Sequence, residues 1–432
     1  MEAFYKHQED MLAMLTSHKQ FAINAEAGCG KTLPMLWHLT NLLKSRAIDD
    51  ALVIAPKSAL QSWTMDVKKL PLSRQRECQK ISFVNYDLVW RRQFFDKHWG
   101  AVVCDESHLI AHRQSKRTKF IMSLSAKSEY RYIMTGTPIG QGRLEDYWSQ
   151  FEFLLPGYFG KWKDFAGRYL IERTIKGTWA SFVVGYRNKQ ELLDKVSAYT
   201  YAVRKKDCLD LPEKLPDVIV KVTLTNAQKT LFKEIDESYI PMIDKIIDNP
   251  LVKGAFYREV SSGFLYDDNK NVVDVGSGKM AMLEELLDSI LPYKVVIFAQ
   301  FTNSISNIEA LLDKKKITYV ELSGRQNDKT IWSRFLEDDK VQVIVCQYES
   351  ANAGINLYSS SHMIFFEPSL ATITVSQARD RIHRIGQRQA CSYYWLLTED
   401  SIEEAIYKRL EKKEDFTNEC IAKFVEETRR KV

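Results

Sequence analysis

Short, continuously apolar runs alternate along this chain with longer stretches of helical spacing. In the first half the runs are FAIN (21–24), ALVIA (51–55), ISFV (81–84), AVVC (101–104) and RYIM (131–134). In the second half they are VVIF (295–298), TYVEL (318–322), VQVIVC (341–346), MIFF (363–366) and YYWLL (393–397). Successive strand residues point to opposite faces, so a run apolar at every position predicts a parallel strand covered on both sides. Between the runs the spacing turns helical: Met280, Leu283, Leu287 and Ile290 recur at i, i+3, i+7 and i+10. Strand and helix in alternation predict an α/β fold with right-handed crossovers and parallel sheets. Two such sets predict two lobes.

Between about 150 and 290 the pattern changes. Residues 151–201 are rich in aromatic and basic residues, LPEKLP (211–216) holds two prolines, and 226–250 is charged with helical patterning. The expected layout is a first lobe over 1–205 with a helical extension from about 150, a largely helical protrusion or linker over 206–276, and a second lobe over 277–432. No internal repeat or low-complexity tract interrupts it.

Composition narrows the class. Of 432 residues, 45% are hydrophobic and 27% charged, which argues against disorder and against a collagen-like fibre. No run of 18 apolar residues occurs, so no ordinary transmembrane helix is expected. The opening MEAFYKHQED has no basic-then-apolar leader. Seven cysteines are scattered without a C-x-x-C pair, which argues against a disulfide framework or zinc ribbon and for a reducing setting. The net charge of +5 permits a nucleic-acid partner without demanding one.

Three constellations carry chemistry. The first is AEAGCGKT (25–32), directly after the FAIN strand. A glycine-rich turn between strand and helix aims backbone N–H groups inward, and the helix N-terminus adds to this anion cradle. Ala27, Gly28, Cys29 and Gly30 would line it, Lys31 would reach the β- and γ-phosphates, and Thr32 would offer its hydroxyl to Mg²⁺. Ala25 stands where the usual motif has its first glycine. The second is DESH (105–108), at the end of the AVVC strand. Ligands of parallel sheets bind beyond the carboxyl ends of strands. There Asp105 can hold Mg²⁺ through water and Glu106 can polarise the water that attacks the γ-phosphate. The third is QARDRIHRIGQ (377–387). Read as a helix, it puts Gln377, Arg381 and Arg384 on one face, opposite Val375, Ala378, Ile382 and Ile385. Paired arginines there suit the charge of a transferring phosphoryl group. A chance loop, a solvated acidic turn and a salt-bridged surface face are the bland alternatives for the three.

In this combination and order the chain resembles helicase superfamily two, and within it the Swi/Snf group of helicase-like ATPases. AEAGCGKT resembles motif I, LVIAPKSALQSW (52–63) motif Ia, SFVNYD (82–87) the motif Ib region and DESH motif II. MTGTPIGQGRLEDYWS (134–149) resembles motif III, VVIFAQF (295–301) motif IV, the stretch to GINL (354–357) motif V and QARDRIHRIGQ motif VI. SIEEAIYKRLEKK (401–413) resembles the group's bracing helix. The resemblance implies two RecA-like lobes, ATP in the cleft and duplex DNA across both. By position it implies that Gln8 reads adenine and that Gly354 belongs to the nucleotide contacts. His108, Thr135, Gly136, Thr137 and Gln377 would couple ATP to DNA, and Lys57, Ser58, Asn85 and Tyr86 would touch the tracking strand. Ser350, Ala351 and Asn352 depart from the usual motif V, and with DESH this points toward the annealing-helicase branch that remodels forks.

Basic clusters at 91–92, 113–119, 204–206 and 314–316 are the candidate phosphate contacts, each with a solvated face as its alternative. Arg113 and Lys116 are the best placed, since they follow DESH. Trp63 and Tyr86 would either stack on bases or pack within the lobe. The resulting expectation is a monomeric, intracellular, DNA-stimulated ATPase that uses ATP and Mg²⁺, translocates on double-stranded or branched DNA, and needs no membrane. A strand-separating DNA or RNA helicase and an ATP-switched clamp are the rivals. The compact length suggests a bacterial cytoplasm or nucleoid, or a virus-infected cell.

Overall fold

The computed structural model describes residues 4–57, 59–139, 143–174, 181–208, 211–326, 328, 330–351 and 355–429. The chain divides into two compact units, Met1–Asp210 and Leu211–Val432.

The first unit is built on strands β1 (Gln20–Ala25), β2 (Ala51–Ala55), β3 (Ile81–Asn85), β4 (Trp99–Asp105), β5 (Ser128–Thr135) and β8 (Thr200–Val203), with a hairpin of β6 (Leu170–Thr174) and β7 (Ser181–Tyr186) outside the sheet. The six strands are all parallel, in the order β3-β2-β4-β5-β1-β8. β2 is buried at every position, as expected of a strand with helices on both faces. An aromatic-rich cluster, with Trp99, Phe151, Phe153, Phe165 and Tyr169 buried, extends this core under the helices Asp146–Leu154 and Trp162–Tyr169. The aromatic stretch read from the sequence is thus packed core.

The second unit holds β9 (Val218–Val222), hairpins β10 (Tyr239–Ile240) with β11 (Lys245–Ile246) and β12 (Phe264–Tyr266) with β13 (Val272–Asp274), then β14 (Val295–Ala299), β15 (Tyr319–Leu322), β16 (Val343–Gln347), β17 (His362–Phe365) and β18 (Ser392–Thr398). Its six-stranded sheet is also all parallel, ordered β15-β16-β14-β17-β18-β9. Each of the ten apolar runs overlaps a strand of one sheet or the other. Of the four edge strands, β3 and β15 were among the runs, whereas β8 and β9 were not; both lie at an edge with little burial, and β9 is mostly exposed.

Residues 211–276 fall in the second unit. They supply β9, the two hairpins and the helices Asn226–Asp236 and Pro250–Ser262. The first helix starts on a capping box between Thr225 and Gln228, the second on the Asn249 cap with Pro250 in its first turn. The predicted periodicity at 280–290 is the helix Lys279–Ile290, with Leu283, Leu287 and Ile290 buried. The bracing stretch is the helix Ile402–Glu411, which buries Ile402, Ile406 and Leu410.

Candidate active site

Strand order alone gathers the motifs of the first unit. β5 lies between β4 and β1, in register Asp105↔Met134 and Asn24↔Thr135. The three strand ends therefore deliver AEAGCGKT, DESH and TGT to one edge of the sheet, the carboxyl edge where ligands of such sheets bind.

Gly28 and Gly30 sit at φ +92 and +71, where a Cβ is strained, and this turns the loop back toward the helix Thr32–Lys44. The Lys31 ammonium donates to the Ala25 carbonyl at 2.8 Å, folding across the cradle it encloses. Outside the loop, Gln8 donates to the Gly30 carbonyl at 3.0 Å and a His7 ring nitrogen lies 2.9 Å from the Cys29 carbonyl. The helix Lys6–Ser17 thus braces the phosphate loop through its buried face, a contact that His7 shares with the expected Gln8. Gly136 is needed for a close approach. A Cβ there would lie 3.0 Å from the Ala27 nitrogen and 3.3 Å from the Ala25 oxygen, so the TGT turn rests on the phosphate loop's backbone.

The acidic pair splits into two environments. Asp105 is buried, and burial, with the neighbouring Glu106 charge, pushes its carboxyl up to about 6 against the opposing pull of Lys31 and the Trp63 and Glu106 N–H groups. Glu106 adopts φ +53, ψ +53, a left-handed conformation rare for a residue with a side chain. That backbone reversal turns Glu106 toward β5. Its Oε2 accepts from the Thr135 hydroxyl at 3.3 Å and lies 3.4 Å from His108 Nδ1. Thr135 Oγ1 in turn accepts from the Thr137 N–H at 3.1 Å and lies 3.1 Å from His108 Nδ1. A hydroxyl has one proton to give, and Thr135 gives it to Glu106, so His108 Nδ1 is the donor in this arrangement. Glu106, His108, Thr135 and Thr137 thus form one hydrogen-bonded unit. Ser107, buried beside it, donates to Gln150 at 2.6 Å, and Gln150 donates at 2.6 Å to the Pro138 carbonyl. Gln150 is a supporting residue the sequence did not single out.

Several expectations change. Tyr86 is not placed to touch a strand: its side chain is buried and its hydroxyl donates to the Asp105 carbonyl at 2.7 Å. Trp63 is fully buried and donates to Asp105 Oδ2 at 2.9 Å, which removes the base-stacking alternative. The Asn85 side chain caps the helix Tyr86–Val89, accepting from the N–H groups of Asp87 and Leu88. Lys57 and Lys116 are exposed, whereas the Arg113 guanidinium stacks over Trp162 at 4.3 Å. Within 204–206, Lys205 is buried and its N–H donates to Glu26, while Arg204 pairs with Asp207. Lys315 pairs with Glu284 and Asp288. Ser58, Asn352 and Gly354 lie outside the described residues.

In the second unit the single helix expected over 377–387 is not formed. The helix Thr372–Arg379 ends before Arg381, and the chain turns through Gly386 at φ +101. Gln377 stands on the helix, Arg381 and Arg384 on the turn. The isoleucines are still partly responsible for the placement: Ile382 is buried and anchors the turn. The Leu357 N–H donates to the Arg381 carbonyl at 3.0 Å and Arg384 donates to the Ile355 carbonyl at 2.8 Å, so the turn is tied to the end of the motif V stretch. Gln387, also unforeseen, knits the turn by donating to the carbonyls of Ile382, Tyr358 and Ser360.

The SNF2-related domain profile matches residues 73–257, and the helicase conserved C-terminal domain profile matches residues 278–386. Together they span the acidic motif of one unit and the arginine turn of the other. The chain belongs to the SNF2-related, helicase-like ATPases. Among relatives of this SNF2-type chain, the SWI/SNF chromatin-remodeling complex subunit snf22 of Schizosaccharomyces pombe is 27% identical over 96% of this chain and 28% of its own length. The nuclear protein STH1/NPS1 of Saccharomyces cerevisiae is 24% identical over 96% and 34%. An ATP-dependent helicase of Mycoplasma genitalium is 26% identical over 93% and 40%. The chain thus spans between about a quarter and two fifths of the curated relatives it matches. A solved structure, the Sulfolobus solfataricus SWI2/SNF2 ATPase core in complex with dsDNA, aligns over 100% of this chain and 97% of its own at 25% identity with a TM-score of 0.45. The expected bacterial or viral setting is corrected by these relatives: eukaryotic chromatin-remodeling and nuclear proteins stand among the strongest matches, and compact length is no guide to source.

Proposed function

We propose that this SNF2-type chain is a DNA-stimulated ATPase that moves along double-stranded DNA and remodels DNA or its protein complexes. One observation carries the reading. The hydrogen-bonded unit of Glu106, His108, Thr135 and Thr137 stands at the same sheet edge as a phosphate loop whose lysine already folds across the cradle.

ATP would lie with its phosphates on the N–H groups of 27–30 and the Lys31 ammonium, its adenine toward Gln8. The donor set fits a divalent cation: Asp105 is a buried carboxylate raised to about 6, which a cation would relieve, and Thr32 opens the helix beside it. A bound Mg²⁺ would neutralise charge on the phosphates. Glu106, turned toward Thr135, would accept a proton from the attacking water. Arg381 and Arg384 would bring positive charge from the second unit to the γ-phosphate. Thr135 would report the γ-phosphate's presence to the TGT turn, with His108 as intermediary. Lys57, Lys116 and the Arg113 region would hold backbone phosphates, giving binding that is salt-sensitive and tolerant of sequence. A preference for forks or branched DNA is the finer form of this proposal, resting on DESH and on Ser350–Asn352 in motif V.

The test is steady-state ATP hydrolysis without nucleic acid and with single-stranded DNA, linear duplex, forked duplex or RNA, at two salt concentrations. Stimulation by duplex that fades at high salt is expected, with Lys31→Ala and Glu106→Gln abolishing turnover. Stimulation by RNA alone, or near-wild-type turnover in either variant, would overturn the assignment.

A further inference from the structure

Two buried aromatic side chains converge on Asp105 from segments that carry no other part of the nucleotide site. Trp63, on the helix Ala59–Lys69 that follows β2, donates its indole N–H to Asp105 Oδ2 at 2.9 Å. Tyr86, in the first turn after β3, donates its hydroxyl to the Asp105 main-chain carbonyl at 2.7 Å. The other carboxylate oxygen, Oδ1, accepts the Glu106 N–H at 3.0 Å. Each oxygen of Asp105 therefore has one fixed partner, and the carboxylate plane cannot rotate without breaking a bond. Both aromatics are themselves held. Trp63 has no exposed surface and packs at a tilt 5.9 Å from Phe83, and the Arg117 guanidinium lies 5.6 Å over the Tyr86 ring.

A buried indole N–H must find some acceptor, and a buried tyrosine hydroxyl likewise. What sets this pair apart is the shared target. Two different crossover segments aim a polar atom at one residue, at both its side chain and its carbonyl, the Tyr86 hydroxyl also meeting the Cys104 thiol.

We infer that Trp63 and Tyr86 are positioning residues that orient Asp105 for the divalent cation accompanying ATP. The inference rests on the reading of Asp105 as the cation-holding carboxylate. Trp63 fixes which lone pairs of the carboxylate remain to face the phosphate loop, and Tyr86 fixes the strand end from which the side chain springs. Preorganised ligands of this kind gain affinity because no ordering is left to be done on binding.

The experiment is equilibrium titration of a fluorescent ADP analogue, with and without Mg²⁺, on the whole chain carrying Trp63→Phe or Tyr86→Phe. Circular dichroism confirms that each variant is folded. In the wild type, Mg²⁺ tightens nucleotide binding. In Trp63→Phe this tightening falls about tenfold while metal-free affinity stays within about twofold, as expected for one lost hydrogen bond to a charged group. Tyr86→Phe, which keeps the ring and loses a neutral bond, gives about a threefold fall and carries the test if Trp63→Phe does not fold. An undiminished response to Mg²⁺, or an equal loss with and without the metal, would overturn the inference and leave the pair as packing. A wild-type protein whose nucleotide affinity ignores Mg²⁺ would instead overturn the reading of Asp105, and the inference with it.

Discussion

At the scale of single residues, the left-handed backbone at Glu106 is the feature that sets the two acidic side chains of the motif in separate environments. Had the strand run on, Asp105 and Glu106 would point to opposite faces of the sheet. The reversal instead sets Glu106 against Thr135. Thr135→Val keeps the shape and removes the hydroxyl that serves Glu106, His108 and the Thr137 N–H at once. Steady-state ATP turnover is therefore expected to fall about tenfold or more, with DNA stimulation lost and ATP affinity within about twofold, measured by kcat against nucleotide binding. Gly136→Ala acts differently. Its new methyl meets backbone of the phosphate loop at 3.0 Å, which cannot give cheaply. ATP affinity should weaken by roughly 5–10-fold at nearly unchanged DNA affinity, as overpacking against a binding loop predicts.

At the scale of elements, the second unit is held by buried charge as well as by its apolar core. Lys279, at the start of its helix, is fully buried and donates to Glu403 at 2.5 Å and to the Phe366 carbonyl at 2.9 Å, while Glu403 also accepts the Thr398 N–H. Four elements meet at this pair: the helix Lys279–Ile290, the end of β17, the end of β18 and the helix Ile402–Glu411. Lys279→Met leaves Glu403 buried without its cation and should cost about 3–5 kcal/mol, read from the urea midpoint. On the helix Pro250–Ser262, burial pushes Glu259 up to about 7 despite the Tyr266 N–H and the nearby Lys245 and Arg258. The sign follows from linkage. A carboxyl raised in the folded state holds its proton there more tightly than in the unfolded chain, so its contribution is fully present below about 4.5 and is lost as pH rises through about 7. Glu259→Gln should thus leave the thermal midpoint nearly unchanged at about pH 4 and raise it by about 2–4 °C at about pH 8.

At the scale of the whole molecule, catalysis is proposed to draw on both units, and Arg384 tests that division. Arg384→Ala leaves the phosphate loop, Asp105 and Glu106 untouched in the first unit. It should spare ATP binding within about twofold and lower turnover by at least about 10²-fold, as loss of transition-state charge does. Much of the architecture was legible because it is written in local periodicity. Ten apolar runs became strands, Gly28 and Gly30 marked the turn after β1, and the motif order marked the family. The alternation of runs and helices, the residues of the phosphate loop and the acidic pair, and the arginines after motif V follow from the sequence by itself, since each depends on near neighbours in the chain. The rest was decided only by tertiary structure. Tyr86 and Trp63 turned inward to Asp105, Glu106 turned toward Thr135, and the helix before Arg381 stopped short because Ile382 and Gln387 bury into segments outside it. Those outcomes depend on which buried polar atom finds which partner across the sheet. Such pairings are settled by strand order and burial, which join residues tens of positions apart and leave no period in the sequence.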